Sequence, residues 1–567
     1  MVRVPYFPLR RGRFKRSILL LANGLAACFI VGITSPGGSF ARAQSLVSNS
    51  IAAGGNDRGF DMAPETNSQV VTSALAAIPE NMPVGHFQPT WASLKEHYQV
   101  PQWFVGAKFG LFIHWGLYSV PAYHNEWYEK HMYSTFLQWH TQHFGAPEVF
   151  GYKDFIPLFT AEKWDPNAWA ALFKKSGAKY VIPTAQHHDN FALWDSAVTP
   201  VNAKQMGPHR DLIGDLATAV RAQGLKFGLS NHGIEHFQFI NPTPELATRL
   251  KVLQADLYDP KWAQWYSVAD RSDEACQKFL VDWVERNVEL IDKYQPDLIY
   301  FDNGVDQRYL DPLKLWVAAY YYNRGEEWGK QVSITTKKAA YSPTNDNTAT
   351  IGSIIDFEKV GARSPSAIRT GSWQVDDPIA GNSWGYVRDL RLSKPETILS
   401  HLIDTVSKNG NYVLNISPMA DGTIPDDQQA ILLEVGKWLE INGEAIYDTH
   451  NWIQFGEGGS GKAELNIRFT VKDQSLYAMI LGNWPNSAIS ITALASGRVK
   501  GKIVSVALLG HDGDLEFSQD TQKLKVELPA EAPCKYAYSL KITGLTMDGP
   551  TATPSGNPLA SQSSDGN

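Results

Sequence analysis

Asp302 and Glu358 each close a short run of apolar, β-branched or aromatic residues: Pro296-Asp-Leu-Ile-Tyr-Phe-Asp302 and Ile354-Ile-Asp-Phe-Glu358. Paired carboxylates are what cleavage of a glycosidic bond requires. One attacks the anomeric carbon or activates water, and the other protonates the departing oxygen. A strand end would fix each group, and a low-dielectric pocket can raise the acid's pKa while its partner stays ionised. Spacing alone does not separate this pair from Asp306, Asp356, Asp376 or Asp377. A second constellation is His114, His187 and His188, near Trp115 and Glu126-Trp127. Imidazoles that donate and accept in one plane beside an aromatic wall suit a ring of hydroxyls. Taken singly, each reads equally well as a hydrogen-bonded structural histidine.

Seven runs in the middle of the chain end on such polar or ionisable residues. Besides the two above they are Phe109 to His114, Lys179 to His188, Leu225 to Asn231, Val332 to Lys337 and Tyr412 to Ser417. Short apolar runs without alternation predict strands buried on both faces of a parallel sheet. Functional groups gathered at the C-terminal ends of such strands are how a (β/α)8 barrel builds its active site. Helical segments lie between them. Asp165-Pro166 opens one as N-cap and first helical residue, Asp211 to Gly224 is amphipathic, and Ala275 to Tyr294 is long. The alternation runs over residues 91–449 and predicts an α/β (TIM-like) barrel. Over residues 450–547, alternating segments such as Asn466 to Val471 and Lys523 to Leu528, separated by Gly, Asn and Asp turns, predict a C-terminal antiparallel β-sandwich.

A chain of 567 residues fits two domains plus tails, and a net charge of -7 offers no basic face for nucleic acid. Arg10 to Arg16 is a basic n-region, Ile18 to Ile33 an apolar stretch, and Ala41-Arg-Ala43 a small-x-small site. Residues 1–43 therefore read as a signal peptide, and the protein as exported, periplasmic or extracellular. Leu25-Ala-Ala-Cys28 also matches a lipoprotein box, which would lipidate Cys28 and anchor the chain, although apolar Phe29 to Ile33 follow it. Residues 44–90 read as a linker and residues 548–567 as a disordered tail. Cys276 and Cys534 are too isolated for a disulfide framework, and no Cys/His spacing resembles a zinc site. Adjacent His187 and His188 would point to opposite faces of a strand unless the chain turns there.

Several long motifs carry a family resemblance. Trp103 to Pro121, with its Phe-Ile-His-Trp-Gly core, resembles the opening strand of the glycoside hydrolase family 29 α-L-fucosidases. So do Asn125-Glu-Trp-Tyr128, Ala178 to Asp189, Gly207 to Leu212, Pro296 to Asp302, Ser383-Trp-Gly-Tyr386 and Val406 to Pro418, in the family's order. The resemblance spans about residues 93 to 450. It implies a barrel with a C-terminal sandwich, no metal or other cofactor, and a fucosylated glycan as substrate. It implies Asp302 as the nucleophile of a retaining mechanism. It further implies His114, Glu126, Trp127, His187 and His188 as sugar-binding residues. Glu358 is the acid/base chosen, with Asp356 on the same strand face as its competitor. Trp373 is a candidate wall for the sugar's methyl group.

The chain also departs from the pattern. Asn190 stands where the family often has glycine, His124 where some members have tyrosine, and Lys337 or Lys338 where many have arginine. Leu229 to His236 differs as well, so that Asn231 or His232 is expected to take a different hydroxyl. The alternative glycone is an L-sugar with a hydroxymethyl in place of the methyl, L-galactose or L-glucose. The alternative class is a catalytically silent sugar-binding protein on the same scaffold, against which both carboxylates speak. Nothing in the sequence states the linkage, the aglycone or the oligomeric state.

Overall fold

The computed structural model describes residues 64–344, 350–361, 364–458, 465–485 and 487–547. The expected signal peptide, Cys28 and the C-terminal tail fall outside these residues. Eight parallel strands close into a barrel. They are β1 Phe109–Ile113, β2 Tyr180–Gln186, β3 Lys226–Asn231, β4 Leu298–Phe301, β5 Ser333–Thr336, β6 Ile354–Glu358, β7 Trp373–Pro378 and β8 Gly410–Ile416. Pairing of Leu111 with Leu414 in register joins β1 to β8 and closes the ring.

Both faces of these strands are buried, for two different reasons. Leu111, Val181, Leu229, Ile299, Ile334, Ile355 and Leu414 point outward into the large core beneath the helices. Phe112, Tyr180, Ile182, Leu298, Tyr300, Ile354 and Val413 form a separate cluster that fills the barrel. Side chains alternate along a strand, so the residues two positions past this inner layer rise at the C-terminal mouth. His114 and Asp302 are such residues, and on β6 Glu358 lies one step further out than Asp356 on the same face.

Helices α1 Pro64–Ala77, α2 Pro166–Lys175, α3 Leu212–Ala222, α4 Asp273–Tyr294, α5 Asp311–Glu327, α6 Pro395–Ser407 and α7 Asp426–Asn442 surround the barrel. Asp165 caps α2 by accepting from the backbone N–H of Asn167 and Ala168, as its place before Pro166 predicts. Among the described residues no helix joins β5 to β6 or β6 to β7. Pro343, Gly352, Gly361 and Pro365 interrupt those two connections.

The expected linker over residues 44–90 is corrected from Pro64 onward. Val70, Val71 and Ala74 share one face of α1 and are buried in the main core, where α1 packs on α4. Asn323 fixes the following strap by accepting from the Phe87 N–H and donating to the Pro83 and Phe87 carbonyls. An apolar face of three residues, too short to raise a clear period in a Ser/Ala-rich stretch, is sufficient once α4 supplies a partner surface.

Beyond α7, a five-stranded antiparallel sheet and a three-stranded sheet enclose a second core around Phe469, Ile480, Leu524 and Leu540. The sandwich is docked on the barrel. Trp438 of α7 donates to the Ala537 carbonyl at 2.8 Å, and Arg468 meets Asp404 of α6 at 2.7 Å. Cys276 and Cys534 are both free thiols.

Candidate active site

Asp302 follows β4 directly and is only 7% exposed at the barrel mouth. Three cationic or imidazole groups converge on it. Lys337 Nζ lies 2.8 Å from Oδ1, His232 Nδ1 3.1 Å from Oδ2 and His188 Nε2 3.4 Å from Oδ2. Burial pushes the Asp302 carboxyl up, but Lys337, His232 and His188 together outweigh it and hold it well below the usual carboxylate range. Burial likewise opposes the charge on Lys337, and the attraction of Asp302, Asp376 and Glu358 prevails, so its ammonium is held. The same ammonium lies 3.3 Å from Glu358 Oε2, at the end of β6. One cation therefore bridges the two carboxylates that the sequence singled out, with their nearest oxygens within about 6 Å of each other.

Asp356, the competitor of Glu358, lies lower on the same face. It is 2% exposed, accepts from Gln374 Nε2 at 2.6 Å and interacts with Asp376, which in turn accepts from the Tyr300 hydroxyl at 3.1 Å. Burial and the neighbouring Asp376 push its carboxyl well up. Asp356 thus belongs to the packed barrel interior, whereas the Glu358 side chain is 22% exposed at the mouth.

The imidazoles divide by their partners. His114 places Nδ1 2.7 Å from Asn415 Oδ1, which fixes the proton on that nitrogen and leaves Nε2 to accept. Burial and the nearby His232 hold it neutral, its pKa well below the usual value. The chain turns after β2, with Asn190 at φ 62°, so His187 and His188 lie on the same side, ring centroids 4.5 Å apart. His187 is neutral for the same reason, burial first and then its histidine neighbours, and its Nδ1 is buried without a hydrogen-bond partner. His188 differs. Burial lowers its pKa, but Asp302 and Glu235 more than reverse that, and its Nδ1 also reaches the His232 carbonyl at 3.1 Å. These partners favour the protonated ring, which can donate on both sides.

Glu126 is held by a loop from the opposite side of the mouth: Oε2 accepts from Ser383 Oγ at 3.2 Å and from the Trp384 N–H at 3.0 Å. Gly385 permits this approach, since a Cβ there would sit 2.6 Å from the Tyr118 ring. Trp127 stands edge-on to His188 with centroids 5.8 Å apart. His124 is exposed at the rim at φ 65°.

Two expected site residues are corrected. The Asn231 side chain faces away from the mouth, donating to Asn287 Oδ1 at 3.1 Å and accepting from the Gly233 N–H at 2.8 Å. Its parity on β3 points it outward, and its neighbour His232 takes the inward place. Trp373 starts β7 at the far end of the barrel, 1% exposed, with Nε1 donating to the Lys408 carbonyl and its ring against Phe357. The indole that stands beside the mouth is that of Trp384 instead. Its ring lies 5.3 Å from that of His114, with Lys337 Nζ 5.7 Å from its centroid. His232 and Trp384 both lie in segments that the sequence marks; parity at the end of β3 selects His232 over Asn231, and the path of the connection after β7 brings Trp384 to the mouth.

Two sets of donor atoms, His114/His187/His232 and His188/His232/Asp302, each lie within 4.8 Å of one another and could hold a metal ion. At the second set the Lys337 ammonium opposes a further cation. The geometry as a whole offers an ionised carboxylate, a second carboxyl group beside the same cation, and neutral imidazole acceptors beside an indole face. That arrangement can attack, protonate and hold hydroxyls.

An α-L-fucosidase family model matches residues 74–444, and an α-L-fucosidase C-terminal domain model matches residues 461–543. The chain is 32% identical to the tissue α-L-fucosidase of Rattus norvegicus over 485 residues, covering 81% of this chain and 93% of that one. It is 31% identical to the human tissue α-L-fucosidase over 506 residues, covering 83% and 95%. Among solved structures, Thermotoga maritima α-fucosidase in complex with fucose is similar, with a TM-score of 0.62 at 32% identity. The match covers 81% of this chain and 100% of that one.

Proposed function

The chain belongs to the α-L-fucosidase family of glycoside hydrolases, and on that premise we propose that it is an exported, retaining exo-enzyme removing terminal α-L-fucosyl residues from glycans. The observation that carries the mechanism is the Lys337 bridge between Asp302 and Glu358. Carboxyl groups about 5–5.5 Å apart go with direct attack and retention, whereas inversion needs about 6.5–9.5 Å to admit a water. A shared ammonium supports the shorter spacing.

In this reading Asp302, kept ionised by Lys337, attacks C1 of the fucosyl unit while Glu358 gives its proton to the departing oxygen. Once Asp302 is esterified its charge is gone, and Lys337 pairs with the Glu358 carboxylate. That carboxylate then takes the proton of the water that releases fucose. His114, His187 and Glu126 receive the sugar hydroxyls, His188 and His232 orient Asp302, and Trp384 faces the apolar side of the ring with its methyl group. The basic and apolar leader from Arg10 to Ala43 supports export.

The test is hydrolysis of aryl α-L-fucoside, α-L-galactoside and α-L-glucoside by the mature protein, with Asp302→Ala as control. Preference for the fucoside, abolished in the control, is expected. Activity confined to another L-sugar would overturn the glycone, and equal activity in the control would remove Asp302 as nucleophile.

A further inference from the structure

Outside β2 and β3, beside their C-terminal ends, lies a cavity of about 610 Å³ whose lining does not include Asp302, Glu358 or the histidines of the mouth. Its rim is exposed at Pro260, Lys261, Gln264, Asp270, Glu274 and Lys278, while Trp265, Trp283 and Arg286 line its buried interior. Arg286 of α4 is 7% exposed. Its Nη1 donates to two neutral oxygens, Gln186 Oε1 at 3.1 Å and Asn190 Oδ1 at 2.5 Å, and its Nε is buried without a hydrogen-bond partner.

Among the described residues no carboxylate pairs with this guanidinium. Asp282, one turn before it, is held by Lys278 at 2.8 Å. Glu289 accepts from Trp194, Ser196 and the Ala197 N–H. Burial accordingly pulls the Arg286 pKa down to about 10 against the partial support of Asp282 and Glu289. An arginine taken out of water without a counter-charge is costly, and an arriving anion would offset that cost. Asn190, one of the positions at which the sequence departs from the family pattern, builds the floor. Its Oδ1 accepts from Gln186 and Arg286, and its Nδ2 donates to the Trp265 carbonyl at 2.9 Å.

We propose that this cavity is a second ligand site, separate from the hydrolytic one, for a sugar-sized molecule carrying a carboxylate. The carboxylate meets the planar guanidinium of Arg286, and the apolar ring face meets Trp265 and Trp283. A volume of this order accommodates a monosaccharide or disaccharide unit.

Calorimetric titration of the full chain with D-glucuronate and D-galacturonate, with methyl β-D-glucopyranoside as neutral control, tests this. At least one uronate is expected to bind at one site, at least tenfold more tightly than the neutral sugar, and without displacement by saturating L-fucose. Ala263→Trp, which fills the cavity from the short helix Ala263–Tyr266, should weaken binding at least tenfold while leaving aryl fucoside turnover unchanged. Arg286→Met should do the same to binding, and if that variant does not fold, Ala263→Trp decides. Absence of uronate binding, equal binding of the neutral sugar, displacement by L-fucose, or unaltered binding in Ala263→Trp would each overturn the proposal.

Discussion

Lys337 Nζ stands 2.8 Å from Asp302 Oδ1, at the ends of adjacent barrel strands. This single contact couples two properties of the Asp302 carboxylate: its charge and its orientation toward the mouth. Because β4 and β5 are paired in register through Phe301 and Thr336, the next residue of each strand projects into the same space. The ammonium is thus placed by the residue that directly follows a barrel strand.

Replacing Lys337 by Met should lower kcat on an aryl fucoside by about 10²–10³-fold, the order observed when one charge-stabilising group is removed from a site. The sign of the pH effect follows from the same contact. Lys337 holds the Asp302 carboxyl down, so its loss moves the acid limb of kcat/KM to higher pH. An unchanged profile would show that Lys337 does not control Asp302.

Glu358→Ala and Asp356→Ala separate the two candidates for the proton donor. Glu358→Ala should impair substrates with poor leaving groups most, spare activated aryl fucosides, and be partly rescued by azide. Asp356→Ala should show no such dependence on the leaving group, because its carboxyl group is engaged with Gln374 beneath the mouth. The opposite pattern would exchange the roles.

Two tryptophans should part in the same way. Trp384→Ala removes an indole face beside His114 and should cut kcat/KM about tenfold or more, with little change in thermal stability. Trp373→Ala empties a packed position and should cost about 3–5 kcal/mol of stability, while the folded enzyme retains its turnover. Denaturant unfolding alongside initial rates distinguishes the two outcomes.

One buried cluster should add stability on acidification. Glu129, Asp189 and Asp256 form a buried acidic cluster, and burial raises all three carboxyls, Asp189 to about 6 and Asp256 to about 7. Folded values above the unfolded ones contribute stability that is complete below the unfolded pKa near 4 and lost as pH climbs through about 6 to 7. Buried neutral His114 and His187 act in the opposite direction, so the cluster is isolated by substitution: Glu129→Gln should raise the Tm at pH 8 more than at pH 5. A Tm at pH 8 unchanged by the substitution would contradict this.

Much of the barrel was legible because its strands are buried on both faces and so read as apolar runs ending in chemistry. β7 escaped for a physical reason. Trp373 and Val375 face the core, but Gln374 and Asp376 point into the barrel, where Tyr300 and Asp356 satisfy them, so the strand reads as polar. Composition marked Asp302, Glu358, Lys337 and the histidines. It did not show that Asn231 turns its amide to Asn287 or that Trp373 sits at the wrong end of its strand, because parity and depth are set by register with neighbouring strands. α1 was missed because its apolar face has meaning only against α4.

The most direct test of retention through Asp302 is proton NMR of the first turnovers of an aryl α-L-fucoside by the wild-type enzyme. The account predicts that α-L-fucose appears first and only later equilibrates with the β-anomer. Initial release of the β-anomer would contradict a covalent intermediate on Asp302.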